Sequence, residues 1–259
     1  VLPIIIRDAD MLTAAMATRY STRKYSSAPI PAEAFTALQE YAEELSALSP
    51  DFKLCVGAAT PESKLFKLEW MVRASFKNAS NFCAGLVRTG SVGSDAWAGL
   101  LGEMLILKAA SLGVHTCWIG GTVRKAEVLK NIAPDGEWTV CFITPLGTPE
   151  TQPEGLPKRR RKDVAKMVTK DRDLSEWETR AVEAMHNAPS AMNRQPWAMS
   201  VEEGSITLRE EGKGKNGVMT KRLDAAIALA HVLAQLSADG KMTTVETVSD
   251  LPLVVKITQ

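Results

Sequence analysis

The sequence predicts an α+β fold of two related halves, with antiparallel-type sheet material set around buried helices. Two stretches, Ala96 to Leu112 and Leu223 to Leu236, are apolar nearly all round, and a glycine, Gly113 or Gly240, lies beyond each. A helix of that kind belongs at the centre of a domain, and the glycine is its natural terminator. Segments rich in residues that favour extended structure lie in both halves, the clearest being Trp138 to Leu146. Between the halves, the Pro/Gly-rich run from Pro145 to Pro157 is the best boundary, which divides the chain into residues 1–150 and 151–259.

Composition narrows the function classes. At 259 residues, 45% hydrophobic and 24% charged, the chain has the make-up of an ordinary soluble protein with a sizeable core. A net charge of +1 argues against general nucleic-acid or membrane-surface binding, which needs a strong cationic excess. The four cysteines, Cys55, Cys83, Cys117 and Cys141, show no paired-ligand spacing, so reduced thiols and no metal site are expected. No apolar run is long enough to span a membrane, and Val1 to Ile6 is too short for the core of a signal peptide, so the expected setting is cytoplasmic.

In chain order, Met11, Leu12, Ala15 and Met16 recur on one face and predict a helix over residues 8–20. Pro31 suits a first helical turn, and Phe35, Leu38, Tyr41, Leu45 and Leu48 make the stripe of a second helix. Phe52 to Gly57 reads as a strand, while Leu65 to Val87 is ambiguous, with weak strand character from Phe82 onward. The first buried helix carries Glu103 and Lys108 as interruptions, and Trp138 to Leu146 follows as a core strand. The second half opens on a basic run, then a helix near Ser175 to His186, a loop rich in amides, and a hairpin over Val201 to Glu211 with Gly204-Ser205 in its turn. Glu211 to Thr220 has the composition of a mobile loop, and Leu253 to Ile257 closes the chain as a strand.

The amide-rich loop is Ala188-Pro189-Ser190-Ala191-Met192-Asn193-Arg194-Gln195-Pro196-Trp197. Its two prolines stop the preceding helix and hold the backbone between them. Asn193 and Gln195 each carry a donor and an acceptor; in an extended backbone they would face one side and suit the polar edge of a heteroaromatic ring. The same residues also read as a helix stop before a strand that buries Trp197. Arg19, Ser21 and Arg23 alternate, so in an extended segment they share a face and can converge on a phosphate, although a solvated basic turn explains them equally well. Lys158-Arg159-Arg160-Arg161-Lys162 competes as a nuclear-localisation or nucleic-acid patch, but no aromatic stacking platform is interleaved with it. Cys117 has no histidine placed by the sequence as its base, so a nucleophile is not expected, and His115 and His186 read as ordinary loop residues. His231, on a nearly apolar helix, reads as a satisfied core histidine.

The loop Ala188 to Trp197 resembles the Ala-Pro-Ser-x-x-Asn-x-Gln-Pro-Trp motif of the FMN-dependent nitroreductase family. Arg19 to Tyr25 is similar to that family's Arg-x-Ser-x-Arg segment, and Gly113-Val114-His115-Thr116-Cys117-Trp118-Ile119-Gly120-Gly121 to its Thr-Cys-Trp segment. In ordinary members the amide loop follows soon after the phosphate segment. Here Gly102-Glu103-Met104-Leu105-Ile106-Leu107, Thr116-Cys117-Trp118, the basic run and only then the amide loop occur in that order. That order resembles a nitroreductase branch in which one chain carries two related halves.

The resemblance implies a nitroreductase-like FMN-binding fold whose single site is built between the halves of one chain. It implies that Arg19, Tyr20, Ser21, Arg23, Arg159 and Arg161 serve the phosphate side. Trp118, Ile119, Gly120 and Gly121 would serve the ring, with a Gly121 amide at flavin N5, together with Pro189, Ser190, Ala191, Asn193 and Gln195. Trp118 also reads as core material. The implied reaction is ping-pong, with NADH or NADPH reducing FMN and a small acceptor such as a nitroaromatic or quinone taking the electrons. No side chain need be the general acid, so no catalytic residue is assigned. The expected partners are NADH or NADPH and the acceptor, with no nucleic acid and no membrane, in a monomer or homodimer. The alternative is a noncatalytic relative that binds flavin or another ligand with its acceptor pocket closed.

Overall fold

The structure is a computed structural model and describes residues 6–60, 65–66, 76, 78–91, 93–121, 124–151, 160–212, 221–241, 243–250 and 253–258. Lys158 and Arg159, and most of the polar Glu211 to Thr220 loop, lie outside the described residues.

The first half runs α1 (Ala9–Thr18), α2 (Ala32–Ser46), β1 (Phe52–Ala58), β2 (Asn81–Arg88), α3 (Ser94–Ser111), α4 (Lys125–Ile132) and β3 (Trp138–Leu146). The second runs β4 (Val168–Lys170), α5 (Glu176–Asn187), β5 (Trp197–Glu202), β6 (Ser205–Glu210), α6 (Lys221–Ala238), β7 (Thr244–Asp250) and β8 (Leu253–Thr258). In α2, Ala34, Leu38, Tyr41, Ala42 and Leu45 are buried at helical spacing, with Pro31 in the cap position. α3 and α6 are each 18 residues long and buried nearly all round. Gly113 and Gly240, two residues past their ends, adopt positive φ of 71° and 67°.

The helices and sheets give the α+β architecture, and pairing is not purely antiparallel: β4 lies parallel to β5, and the isolated Ser21–Thr116 bridge is parallel as well. β1, β2 and β3 form an antiparallel sheet in that order. The other sheet has the order β4-β5-β6-β8-β7. The hairpin turn is Glu203-Gly204, with Gly204 at φ 70°, and Ser205 already belongs to β6, where it pairs with Glu202. β5 begins earlier than the alternation around Val201 indicates, because Trp197, Ala198 and Met199 are buried in the sheet.

The two halves repeat one topology. Each has a helix, a hairpin, an 18-residue helix, and then a strand that pairs with the hairpin's second strand. On the far side of β8 lies β7; in the same place on β3 lies the segment 115–119, bridged through His115 to Gly147 and Ile119 to Ile143. α3 packs on α6 so closely that a Cβ on Gly99 would stand 2.2 Å from the Leu223 carbonyl oxygen. One apolar core draws on both halves, and a smaller one of Leu65, Phe82, Leu86, Ile119, Val128 and Ile143 lies on β2 and β3.

Candidate functional site

The basic segment after α1 lies alongside the 115–119 segment. Ser21 bridges Thr116, and the Thr22 N–H donates to the Thr116 carbonyl at 2.9 Å. Thr22 Oγ1 and His115 Nδ1 are hydrogen-bonded at 3.0 Å, and Tyr20 meets the His115 ring edge-on at 4.9 Å. Burial pushes His115 below the usual imidazole range. Thr18, Arg19, Tyr20, Val114, His115 and Thr116 line a cavity of about 50 Å³. Ser21 and Arg23 are exposed. The Tyr20 hydroxyl is buried and has no hydrogen-bond partner among the described residues.

Arg19 turns inward: it is buried, with Nε 3.7 Å from Glu103 Oε1. Glu103, at 0% exposure, also accepts from Trp118 Nε1 at 2.7 Å and bonds His231 Nε2 at 2.9 Å. Trp118 is tilted on Phe142 with ring centroids 4.3 Å apart. Ile119 is buried in the smaller core, Gly120 is buried and Gly121 is exposed. Cys117 donates its backbone N–H to Thr144 Oγ1 at 3.0 Å, and burial raises its thiol above the ordinary range, which makes it a poor nucleophile.

The second group is set by α5. A capping box of Ser175 and Glu178 starts that helix, and the Glu178 carboxyl, held to about 2 chiefly by Arg172, is bonded to it at 2.6 and 2.9 Å. At the far end Arg161 collects the last carbonyls, donating from Nε to His186 O at 2.8 Å and from Nη2 to Asn187 O at 3.0 Å. Arg161 Nη1 also reaches Asn193 Oδ1 at 3.1 Å, and Asn193 Nδ2 donates to the Arg160 carbonyl at 2.8 Å.

The amide loop is not extended. Residues 191–193 form a 3-10 turn, and Met192, Asn193 and Gln195 take φ of 52°, 56° and 48°. Left-handed backbone at three non-glycine positions within four residues is strain that surrounding bonds must hold. Gln195, 2% exposed, accepts from the Lys162 N–H through Oε1 at 2.8 Å and donates through Nε2 to the Asn193 carbonyl at 2.9 Å. Its own N–H donates to Ser190 Oγ at 2.8 Å. The side-by-side presentation expected of Asn193 and Gln195 is thus replaced by mutual bonding, because the prolines and the left-handed turns fold the loop onto the basic run. Pro189, Ser190 and Ala191 are half-buried. The Ala191 N–H donates to Asp224 Oδ1 at 3.0 Å, and burial pushes the Asp224 carboxyl up to about 7.

Burial lowers the Arg161 guanidinium below its ordinary range, and the charge of Arg19 adds to the lowering. Sequence reasoning did not find Asp224 or the role of Glu103. The signal was present in both cases, since a lone carboxylate inside a nearly apolar buried helix must have a partner from another element.

The chain belongs to the family described as "Putative TM nitroreductase", whose model matches residues 11–236. No curated protein matches it. Among solved structures it is similar to a "putative nitroreductase" from Thermotoga maritima, with TM-score 0.62 and 17% identity over 99% of this chain and 97% of that one. An "FMN-dependent Nitroreductase" from Clostridium difficile matches at TM-score 0.48 and 16% identity, over 55% of this chain and 90% of that one. Nitroreductase A from Vibrio parahaemolyticus matches at TM-score 0.46 and 17% identity, over 57% and 71% respectively. No helix among the described residues is long and apolar enough to cross a membrane.

Proposed function

We propose that this chain is an FMN-dependent oxidoreductase that uses NADH or NADPH to reduce a small organic acceptor, such as a nitroaromatic or a quinone, by ping-pong turnover. FMN, when bound, supplies the electron-transfer chemistry. The observation that carries the reading is the packing of the basic segment along the 115–119 segment, through the Ser21–Thr116 bridge and the Thr22 N–H to Thr116 carbonyl bond at 2.9 Å, with Arg19, Tyr20, His115 and Thr116 around one cavity. A basic segment held against that loop calls for an anion, and a phosphate monoester is one that a guanidinium such as the exposed Arg23 can clamp. The Tyr20 hydroxyl, which has no hydrogen-bond partner among the described residues, and the exposed Ser21 add donors in the same segment.

On this reading Arg19, Tyr20, Ser21, Arg23, Arg159 and Arg161 hold the phosphate. Trp118, Ile119, Gly120 and Gly121 form the ring-side wall, with Ile119 acting from the core behind it. Pro189, Ser190, Ala191, Asn193 and Gln195 form the opposite wall. Asn193 and Gln195 act there by fixing the loop, since their amides already bond the basic run. No side chain is assigned proton transfer, and solvent serves that role. The first half, 1–150, and the second, 151–259, close one site within one chain.

The test is an absorbance spectrum of purified protein with and without added FMN, followed by NADH or NADPH without oxygen. The expected result is a bound oxidised-flavin spectrum that bleaches with one of the two reductants. Binding without bleaching would leave a noncatalytic flavin protein, and no binding would reject the reading.

A further inference from the structure

The Arg19, Glu103, Trp118 and His231 cluster is a feature of the core that packing alone does not explain. Glu103 sits between Gly102 and Met104 on a helix that is otherwise apolar nearly all round, and both it and His231 are at 0% exposure. A buried ion pair with its hydrogen-bond partners rarely outperforms well-packed apolar side chains in stability. What such a cluster does supply is fixed direction. A carboxylate only accepts, so Oε2 takes the Trp118 indole N–H at 2.7 Å and Oε1 takes the His231 Nε2–H at 2.9 Å, with the Arg19 guanidinium 3.7 Å from Oε1. Burial holds His231 below the usual imidazole range, which suits a neutral ring that donates.

Three elements are tied by this one side chain. Arg19 ends α1, Trp118 stands in the 115–119 segment on β3, and His231 comes from α6 in the other half. Gly102, next to Glu103, completes the arrangement: a Cβ there would stand 2.8 Å from both Trp118 Cη2 and Phe142 Cζ, so the indole lies directly on the helix backbone. The indole is therefore held by a bond at Nε1 and by contact of its Cη2 edge with the helix and of its ring with Phe142.

We propose that Glu103 is a positioning residue of the cofactor site: from inside the core, its carboxylate fixes the Trp118 indole and the Arg19 guanidinium, with His231 as a brace from the second half. The proposal rests on the flavin reading for what is positioned. The anchoring itself is a property of the protein without ligand.

The experiment has two readouts, arranged so that the two ideas fail separately. In ¹⁵N-labelled protein without flavin, the Trp118 indole resonance is identified as the one lost in Trp118→Phe. It is expected downfield, as a short bond to a carboxylate requires, and in Glu103→Gln it should move upfield. A resonance that stays in place overturns the anchoring whether or not FMN binds. Second, FMN titration of Glu103→Gln should show affinity weakened about tenfold, the loss of one charge-assisted bond. The flavin midpoint potential should shift positive, because a buried negative charge has been removed. Glu103→Gln combined with Trp118→Phe should lose less than the sum of the single losses. Wild-type affinity and potential in a folded Glu103→Gln protein would overturn the positioning role. His231→Gln keeps an amide donor toward Glu103 and is expected to retain the indole shift. If Glu103→Gln fails to fold, a wild-type indole shift in Arg19→Ala with His231→Phe would show that neither arm orients the carboxylate and would overturn the proposal. Wild-type protein that takes no FMN rejects the flavin reading, and the indole readout then decides the anchoring alone.

Discussion

Arg222 of α6 reaches Asp95 of α3 at 2.7 Å, and each is the second residue of its 18-residue helix. Residues at equivalent positions of two repeated elements meet only near an axis that relates them. The same spacing along the chain separates Gly99 from Ala226, whose Cβ would stand 2.9 Å from a Cβ on Gly99, and Gly113 from Gly240. The α3–α6 contact thus brings equivalent positions of the two long helices together.

Gly99→Ala should be among the most destabilising single changes in α3. The new methyl would meet the Leu223 backbone at 2.2 Å, which cannot step aside as a flexible side chain can. Urea denaturation is expected to show a loss of roughly 1–3 kcal/mol from overpacking. At Gly113 a Cβ meets nothing within 4 Å, so Gly113→Ala should show only the smaller cost, about 1 kcal/mol, of a left-handed residue. Equal costs at the two sites would reject the close-packed interface.

The pH dependence of stability should carry two opposed slopes. His231 has a depressed pKa, so its contribution is intact above the ordinary value of 6.5 and is lost as pH falls below it toward the folded pKa. Asp224 has a raised pKa, about 7 against 3.8, so its contribution is full below 3.8 and is lost as pH rises through about 7. Asp224→Asn keeps an acceptor for the Ala191 N–H and removes the titration. Its stability relative to wild type should therefore improve from pH 4 to pH 8, with a ceiling of roughly 4 kcal/mol. A difference that is flat with pH would reject the assignment.

Gln195→Ala and Asn193→Ala should separate. The Gln195 side chain is buried and bonds Lys162 and Asn193, so its loss strands the Lys162 N–H and should cost about 1–3 kcal/mol of stability. Asn193 is exposed and pins the loop to Arg160 and Arg161, so Asn193→Ala is expected to weaken FMN binding with less effect on folding. Thermal melts paired with FMN titrations decide between this and the reverse order.

FMN should bind more tightly than riboflavin, because the cations contributed by both halves address the phosphate. Losing one charge-assisted pair, as in Arg23→Ala, is expected to cost roughly 1.5–3 kcal/mol of FMN affinity and little of riboflavin affinity. Isothermal titration with both ligands measures this, and equal affinities would count against the phosphate subsite.

One FMN per chain is expected, retained on dilution to a monomer. Segments 19–25 and 115–121 precede the Pro145 to Pro157 connection, and the second basic run and amide loop follow it. The site position in the other half is not repeated: β7 stands where the Thr-Cys-Trp segment stands in the first half, and it lacks those residues. Binding that falls in step with dimer dissociation, followed by light scattering, would place the site between subunits instead.

The sequence alone determined the elements whose pattern is written in side-chain periodicity or in a terminator. The stripe from Phe35 to Leu48 became a helix that ends at Ser46 and leaves Leu48 exposed, and the apolar runs before Gly113 and Gly240 and the β-rich Trp138 to Leu146 became the expected helices and strand. It also carried the family, through three motifs that no periodicity explains. It left α4, β4 and β7 unseen. β4 is three residues long, and β7, of mostly polar sequence, gains its strand state from pairing with β8. Tertiary structure alone decided what each polar residue faces. Arg19 alternates with Ser21 and Arg23 in sequence yet turns inward, because α1 ends against Glu103. Asn193 and Gln195 sit two apart yet bond each other, because three left-handed residues fold the loop. Period and propensity are local quantities that a chain carries with it, whereas the partner of a buried charge comes from wherever the fold brings another element, here from 128 positions away in His231.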